Sequence, residues 1–485
     1  METESSQPSK GLLQRTFRGF FWVLLGSGVQ AVLKTGVVAV LARLVTPGEF
    51  GLMGIAFVVL EFSKMFTQMG VGPALVQRTE IETRHLTTGL TLSLMIGAFF
   101  SLLLLVTAPF VALFFRMPGL TNILRVLSIV FLINSFTIIA QALMQRNMKF
   151  RINSAIEVGS YAIGYGLVGI VLAYLGLGVW SLVFASLAQA IVLTAFLLSV
   201  QPFPKKLGFD RTAFRDLLFF GGGFTLARIA NFLALQGDNL VVGRLLGARL
   251  LGIYGRAYQF MVMPAGLFGN ALDKALFPAM AKVQSDQTRV SRAYLTGVSI
   301  IALVAIPLSF LSYLLAPEIV MVMLGPEWGE VITPFQILAC SLLFRMSYKM
   351  SDSLCRATGA VYRRAWRQVI YAAMVLTGSW IGQFWGLPGV AWGVAASLVG
   401  NFLLMAQLSL QLTDVTWYQI AQAHKPGILL GLIAGLACQA VVSLCRGNNI
   451  PDLLTIFLAA TGVGMALLLA LLSFPGLFIS SHLKE

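Results

Sequence analysis

Residues 90–115 read LTLSLMIGAFFSLLLLVTAPFVALFF, a run of 26 positions without a charged side chain. A second run, residues 300–315, reads IIALVAIPLSFLSYLL and is equally free of charge. A membrane-spanning helix needs about 20 mainly apolar residues, whereas the strands of a membrane barrel alternate over about ten. The two runs therefore predict helices that cross a bilayer.

The rest of the chain has the same character. Of the 485 residues, 58% are hydrophobic and 11% are charged, whereas soluble domains contain about 25% charged residues. This composition excludes soluble enzymes, disordered chains and secreted disulfide scaffolds. Apolar runs between prolines, glycines and charge clusters predict about fourteen spans, at residues 20–42, 49–70, 87–112, 120–144, 155–175, 178–200, 216–242, 250–272, 293–315, 333–355, 366–386, 388–411, 427–445 and 453–478.

The cations are distributed unevenly between alternate loops. The net charge of +15 comes from 34 Lys and Arg against 19 Asp and Glu. The side that carries the N-terminus holds 22 of the cations, the opposite side holds 5, and 7 fall inside spans. Because cytoplasmic loops carry the excess of Lys and Arg, we expect a multi-pass protein of the inner (plasma) membrane. Both termini are expected in the cytoplasm, and no nucleic-acid partner is expected.

An internal repeat divides the chain into two similar halves. Residues 42–57, ARLVTPGEFGLMGIAF, align without gaps with residues 243–258, GRLLGARLLGIYGRAY, at an offset of 201 (243 − 42). Both copies join the first span of a six-span group to its second, so the repeat is parallel. The predicted fold class is an all-α polytopic membrane protein with two six-helix lobes around a central cavity. The lobes are residues 1–200 and 201–412, and two further helices occupy residues 413–485.

The loops offer little for catalysis. None exceeds about twenty residues, and the phosphate-binding motif GxxxxGK[ST] does not occur. The acids Glu318, Glu327 and Glu330 are interpreted as loop residues rather than as the acids of a membrane glycosyltransferase. The four cysteines and three histidines have no metal-ligand spacing. We expect a transporter without a cofactor or a metal.

Ionisable residues inside the spans are the main functional signal, because each would cost several kcal/mol if it faced lipid. The interior acids are Glu61 and Asp238. The balance is cationic, and arginine in particular offers planar donors that match phosphate oxygens. This predicts a cavity for an anionic substrate and argues against a carrier of cationic drugs. The candidate substrate-binding cations are Lys34, Lys64, Arg125, Arg228, Arg256, Arg345 and Lys349.

Three of these cations have an alternative interpretation. Glu61 and Lys64 are three residues apart on one helix face, so they could simply neutralise each other. Arg125 and Arg345 could lie close enough to a membrane interface to extend into water.

The remaining assignments differ in how much they require a cavity. Asp238 could be a proton or sodium site, or the charge partner of Arg228. Lys34 and Arg256 are the hardest to explain unless they face a cavity.

Several motifs occur in order along the chain, among them Gly237-Asp-Asn-Leu-Val-Val-Gly-Arg-Leu-Leu-Gly with Leu251-Gly-Ile-Tyr. This motif resembles the seventh-helix signature of the polysaccharide transporter family of the multidrug/oligosaccharidyl-lipid/polysaccharide flippase superfamily. Together the motifs look most like those of a colanic-acid-type exporter. The others are Phe50-Gly-Leu-Met, Ala142-Leu-Met-Gln-Arg with Phe150-Arg151, Leu276-Phe-Pro-Ala-Met-Ala-Lys-Val-Gln-Ser-Asp and Leu324-Gly-Pro-Glu-Trp.

This resemblance implies a flippase. It would move an undecaprenyl-diphosphate-linked oligosaccharide to the outer leaflet by alternating access, for exopolysaccharide or O-antigen-type biosynthesis. The implied partners are the lipid-linked oligosaccharide, the lipid bilayer and, beyond these, polymerase and export machinery. By position, Lys34 and Arg256 would hold the diphosphate. The alternatives are an ion-coupled small-molecule efflux carrier of the same superfamily and a membrane enzyme that polymerises polysaccharide.

Overall fold

The computed structural model describes residues 28–67, 71–78, 80–203, 206–219, 225–282 and 286–473, and every regular element within these ranges is a helix. Each predicted span coincides with a helical segment. These segments are α1 (Gly28–Ala42), α2 (Pro47–Thr67), α3 (Thr83–Phe115), α4 (Leu120–Leu127, Ile129–Ser135 and Thr137–Arg146), α5 (Phe150–Tyr174), α6 (Val179–Val200), α7 (Thr225–Leu245), α8 (Ala248–Lys282), α9 (Gln287–Leu314), α10 (Ile332–Cys340 and Leu342–Ala357), α11 (Val361–Gly382), α12 (Gly386–Leu410), α13 (Trp417–Gly447) and α14 (Asp452–Ser473).

Seven helical stretches of the described residues are long and apolar enough to cross a membrane, and two bent pairs raise the number to nine. One of the seven, Tyr362–Leu410, contains both α11 and α12. The segments that do not meet this criterion are α1, α2, α7 and α8, which are the helices that the internal repeat joins. The predicted all-α polytopic class is confirmed, while the number of fourteen spans stays a prediction.

Two spans are bent, and hydroxyl side chains lie at the bends. In α4 and in α10 the chain turns by 44° at a short break. Thr137 and Ser341, at these two breaks, each donate a hydrogen bond of 2.7 Å to the carbonyl three residues earlier. Such bonds compete with the helical backbone ladder and favour bending. The bends therefore have a local cause in the sequence, although the apolar pattern predicts straight spans.

The first compact unit, Met1–Leu226, contains α1 to α6. The chain that follows α6 is attached to α3 of the same unit. Gly208 donates to Thr91 Oγ1 at 3.1 Å and accepts from it at 2.9 Å, and the Asp210 N–H donates to Thr88 Oγ1 at 3.0 Å. Asp210 also accepts from the Ala213 N–H at 2.8 Å, which caps the short helix Arg211–Phe219.

The second compact unit, Ala227–Glu485, contains α8 to α14 and most of α7. Its most extensive helix pair is α9 with α13, and α13 also packs on α14. The two C-terminal helices are thus part of this unit. The division into residues 1–200, 201–412 and 413–485 stays a prediction.

Glycines bring α11 and α12 into backbone contact. Gly378 faces Gly393 and Gly382 faces Gly389, so each helix contributes two glycines four residues apart. A Cβ atom at Gly382 would lie 2.3 Å from the Gly389 carbonyl oxygen, and one at Gly393 would lie 2.2 Å from that of Gly378. Only glycine permits this approach, which is typical of helix pairs in membranes.

Candidate functional site

In the first unit, α1 presents Lys34 beside two aromatic rings of α5. Lys34 is exposed, and its Nζ lies 5.6 Å from the centre of the Tyr161 ring. Tyr161 stacks on Tyr165 with 5.0 Å between ring centres. Glu157, one turn before Tyr161, interacts electrostatically with Lys34. An exposed ammonium over an aromatic surface can donate hydrogen bonds to a phosphate oxygen while the rings lie beside the rest of a ligand.

The backbone of α5 is unusual next to this group. Residues Ala162–Gly169 form a π-helix that begins directly after Tyr161. A Cβ atom at Gly164 would lie 2.7 Å from the Gln189 backbone nitrogen of α6, so the two helices are in close contact there. π-Helical turns occur often at functional sites. The sequence pattern did not predict this element.

The other candidates of the first unit lie apart from Lys34 in sequence. Lys64 Nζ donates to Glu61 Oε1 at 2.7 Å, and both side chains are partly exposed. This ion pair favours the interpretation in which the two charges neutralise each other. Arg125 is exposed on the first helix of α4.

Two candidate cations of the second unit, Arg256 and Lys349, have different surroundings. Arg256 is half-buried on α8 and donates a hydrogen bond to Gln259 Oε1, one turn along the same helix. Lys349 of α10 packs across Gly269 of α8, where a Cβ atom would lie 2.7 Å from the lysine Cδ. The side chain of Arg228 lies outside the described part of the chain, so its predicted pairing with Asp238 stays a prediction.

The buried carboxylate of the second unit is Asp238 on α7, which is 1% exposed. Its Oδ2 accepts from the Tyr254 hydroxyl of α8 at 2.7 Å, and its Oδ1 accepts from the Asn239 N–H at 2.8 Å. Tyr254 is itself fully buried. These two donors fix the carboxylate in one orientation.

A buried arginine shares the surroundings of Asp238. Arg345 of α10 is 7% exposed, so it does not extend to an interface. Its Cζ lies 5.8 Å from the centre of the Tyr348 ring. Arg345 interacts electrostatically with Asp238, Tyr258 and Tyr371. We call Asp238, Tyr254, Tyr258, Arg345, Tyr348 and Tyr371 the α7–α8–α10–α11 cluster.

Sequence reasoning found the two charges of this cluster and missed its four tyrosines. Tyr254 and Tyr258 are four residues apart on α8, and Tyr348 is three residues after Arg345 on α10, so each pair shares a helix face. These tyrosines could have been found in the sequence by looking, within each span, for hydroxyl side chains three or four residues from an ionisable residue or from each other. Of the predicted site residues, the structure associates Glu61 with Lys64 and Asp238 with Arg345.

The interpretation of Glu318, Glu327 and Glu330 as loop residues was wrong, because they lie on the short helices Ala316–Met323 and Pro326–Val331. Two of them form ion pairs. Glu330 accepts from both Arg249 amino groups at 2.7 and 3.1 Å. Glu318, only 3% exposed, accepts from Arg446 Nε at 2.7 Å and Nη2 at 3.0 Å. Two of the three acids considered for catalysis are thus engaged by arginines. Within the described ranges, no group of three His, Cys, Asp or Glu side chains could hold a metal ion.

Comparison of the sequence with known families and proteins gives consistent matches. Residues 40–333 match the family described as polysaccharide biosynthesis protein. The succinoglycan biosynthesis transport protein ExoT of Rhizobium meliloti is 28% identical over 88% of this chain and 91% of its own length. The teichuronic acid biosynthesis protein TuaB of Bacillus subtilis is 26% identical over 81% of this chain and 82% of its own. The lipopolysaccharide biosynthesis protein WzxC of Escherichia coli is 24% identical over 81% and 80%.

Solved structures share the fold. The lipid II flippase MurJ, in an inward closed conformation, superposes with a TM-score of 0.73 over 94% of this chain and 99% of its own, at 13% identity. A multidrug resistance MATE family transporter, inward-facing, gives a TM-score of 0.62 over 80% and 96%, at 16% identity. At these identities the likeness establishes the architecture alone, and it agrees with the helical class predicted from the sequence.

Proposed function

Because the chain belongs to the polysaccharide biosynthesis protein family, we propose that it is a flippase for an undecaprenyl-diphosphate-linked oligosaccharide repeat unit. It moves this unit across the cytoplasmic membrane by alternating access, for exopolysaccharide or O-antigen-type biosynthesis. Support comes from relatives named for succinoglycan transport and for teichuronic acid and lipopolysaccharide biosynthesis. The protein is a transporter, not an enzyme.

The observation that carries this proposal is the exposed Lys34 beside the stacked Tyr161 and Tyr165. A diphosphate needs cations, and the attached glycan rings pack well on aromatic faces. Arg256, half-buried on α8, is the second residue proposed for the diphosphate. The other proposed contributors are Lys64, Arg125, Arg228, Arg345 and Lys349, with Glu61 and Asp238 as charge partners or ion sites.

The orientation is proposed from the charges. Both termini face the cytoplasm, and the protein lies in the inner membrane beside the polymerase and export machinery that uses its product. The cations assigned to the outer side include Arg249 and Arg446, and both are paired with acids. The support for this orientation is the count of 22 cations on the proposed cytoplasmic side against 5 on the outer side.

A leaflet-accessibility assay tests the function directly. The full-length protein is reconstituted in liposomes that hold a fluorescent polyprenyl-diphosphate oligosaccharide in both leaflets, and an impermeant quencher reports the accessible pool. We expect the protected pool to disappear with the wild-type protein and to persist with Lys34→Ala or Arg256→Ala. Arg116→Gln, which changes an exposed cation at the end of α3, is the matched control and should flip normally.

The outcomes separate the function from the site. Normal flipping by both Lys34→Ala and Arg256→Ala would contradict the assigned residues. A pool that stays protected with folded wild-type protein, with and without a pH or sodium gradient, would contradict the function. An efflux carrier would then be favoured, although the cationic excess of the interior opposes cationic drugs.

A further inference from the structure

Arg345 is a buried cation without a direct polar partner in the described part of the chain. It is 7% exposed, and its guanidinium lies over the ring face of Tyr348. A guanidinium has five N–H donors, and none of them makes a hydrogen bond or an ion pair with a described residue. A buried charge is strongly unfavourable unless another charge compensates it.

Asp238 presents the complementary problem. Its two oxygens accept hydrogen bonds from Tyr254 and Asn239, but both donors are neutral groups. The negative charge therefore remains uncompensated by its direct partners, in a carboxylate that is 1% exposed. Arg345 is the cation that acts on this charge electrostatically.

We propose that Arg345 is a built-in counter-cation for Asp238. It supplies the positive charge that a free sodium ion or a proton would otherwise bring to the carboxylate. Both charges stay inside one unit, and Tyr258 and Tyr371 interact electrostatically with each of them. Asp238 is thus a charge partner and not the binding site of a coupling ion.

The geometry at Asp238 disfavours a free cation for two reasons. A hard cation needs several oxygen ligands with lone pairs directed at it, whereas the Tyr254 hydroxyl and the Asn239 N–H direct hydrogens at the carboxylate. In addition, the fixed charge of Arg345 repels a second cation in a medium of low dielectric constant. Both obstacles arise from this chain's own residues.

Replacing Arg345 by a neutral residue should create a need for a proton or a metal cation that the wild-type protein does not have. When Arg345 becomes glutamine, the carboxylate of Asp238 loses its counter-charge and must take up a proton or a metal cation from outside. The tyrosines that interact with it are then Tyr254, through its hydrogen bond, and Tyr258 and Tyr371, and a neutral phenol supplies no counter-charge. A dependence on sodium or on pH between 5 and 8 would therefore arise from Asp238.

The experiment measures the unfolding temperature of the full-length protein in detergent, in NaCl and in choline chloride of equal ionic strength, at pH 5 and pH 8. The wild type should unfold at the same temperature in both salts. Arg345→Gln should unfold at a lower temperature, which rises with sodium or with acid. Asp238→Asn combined with Arg345→Gln should lose this sensitivity and recover stability, and Arg345→Lys should behave as the wild type.

Arg256→Gln is the matched control, because it removes a cation of the same unit that interacts with Gln259. It should produce no dependence on sodium. If Arg345→Gln does not fold but the double variant does, the rescue itself is the expected result. Stabilisation of the wild type by sodium over choline would overturn the proposal, as would a double variant whose loss equals the sum of the single losses. Neither readout involves flipping, so the result is independent of the proposed substrate.

Discussion

The offset of 201 that relates the two copies of the internal repeat, when continued to the residues just before residues 42–57 and 243–258, pairs positions with different chemistry. At the offset of 201, Asp238 and Tyr254 of the second copy correspond to Val37 and Met53 of the first. All four side chains are buried. The second copy therefore uses these positions for a hydrogen-bonded carboxylate, while the first fills them with apolar side chains.

The difference is reversed at a neighbouring pair of positions. Lys34 of α1 is exposed, and its counterpart in α7 is the apolar Leu235. The exposed charge at this pair of positions belongs to the first unit, whereas the buried charge at Asp238 belongs to the second. If the proposals above hold, the aligned positions serve substrate contact in one unit and internal charge balance in the other.

Transferring the buried acid to the first unit should have the largest effect. Val37→Asp would place a carboxylate at a site that is 6% exposed, where the aligned position of Tyr254 is occupied by Met53. We expect a loss of about 3 kcal/mol, typical of an acid in a membrane helix, measured as a lower unfolding temperature and a lower yield of folded protein. Val37→Thr is the control of similar size. A Val37→Asp protein as stable as the wild type would show that the first unit tolerates a buried acid at this position, contrary to the difference drawn between Val37 and Asp238.

Removing the hydroxyl that holds Asp238 should have a smaller effect. Tyr254→Phe deletes the 2.7 Å hydrogen bond to the carboxylate, and bonds to charged groups contribute about 1.5–3 kcal/mol. The corresponding change in the first unit, Met53→Leu, should cost less than about 1.5 kcal/mol. Unfolding of both variants by heat or denaturant in the same detergent compares them. Equal losses would mean that the hydroxyl contributes only volume.

Neutralising the exposed lysine should affect transport and not stability. Lys34→Gln removes a cation–π contact that contributes about 0.5–1 kcal/mol at an exposed site, so the unfolding temperature should barely change. Flipping by the same preparation should nevertheless be lost. A large fall in unfolding temperature would show that Lys34 is structural, and its loss of activity would then have no bearing on the substrate.

The smallest effect is expected for the exposed ion pair of α2. Glu61→Gln breaks the 2.7 Å contact with Lys64, and such pairs contribute about 0.3–0.5 kcal/mol. The loss should shrink further at high salt because exposed charges are screened. Unfolding measured at low and high salt tests this. A flipping rate that falls sharply with unchanged stability would instead assign Lys64 to the substrate.

The apolar runs and the composition were sufficient to predict the fold class. The ionisable residues inside those runs were sufficient to name the charged members of the candidate site. Asp238 and Arg345 stand out because ionisable residues are costly in spans. Tyr371 does not stand out, because tyrosine is common both in cores and at membrane interfaces. Its place in the cluster depends on how α11 packs, and a single sequence does not contain that information.

The interruptions of the spans were also beyond the apolar pattern. The bends at Phe136 in α4 and at Ser341 in α10 lack the proline that usually marks a kink. The π-helical segment of α5 likewise follows Tyr161 without a local signal. These features depend on hydroxyl back-bonding and on close contact with neighbouring helices, whereas hydropathy depends only on the average apolar character of a segment.

The ion pair between Glu318 and Arg446 has a consequence for the biogenesis of the protein. The two residues are 128 positions apart in the chain, and the helix Ala316–Met323 that carries Glu318 also packs on α14. During synthesis the carboxylate therefore emerges long before its arginine, and it must remain hydrated until α13 has been inserted. The region between α9 and α10 is therefore completed only after α13 is in place, and a chain truncated before α13 would lack the arginine that pairs with Glu318.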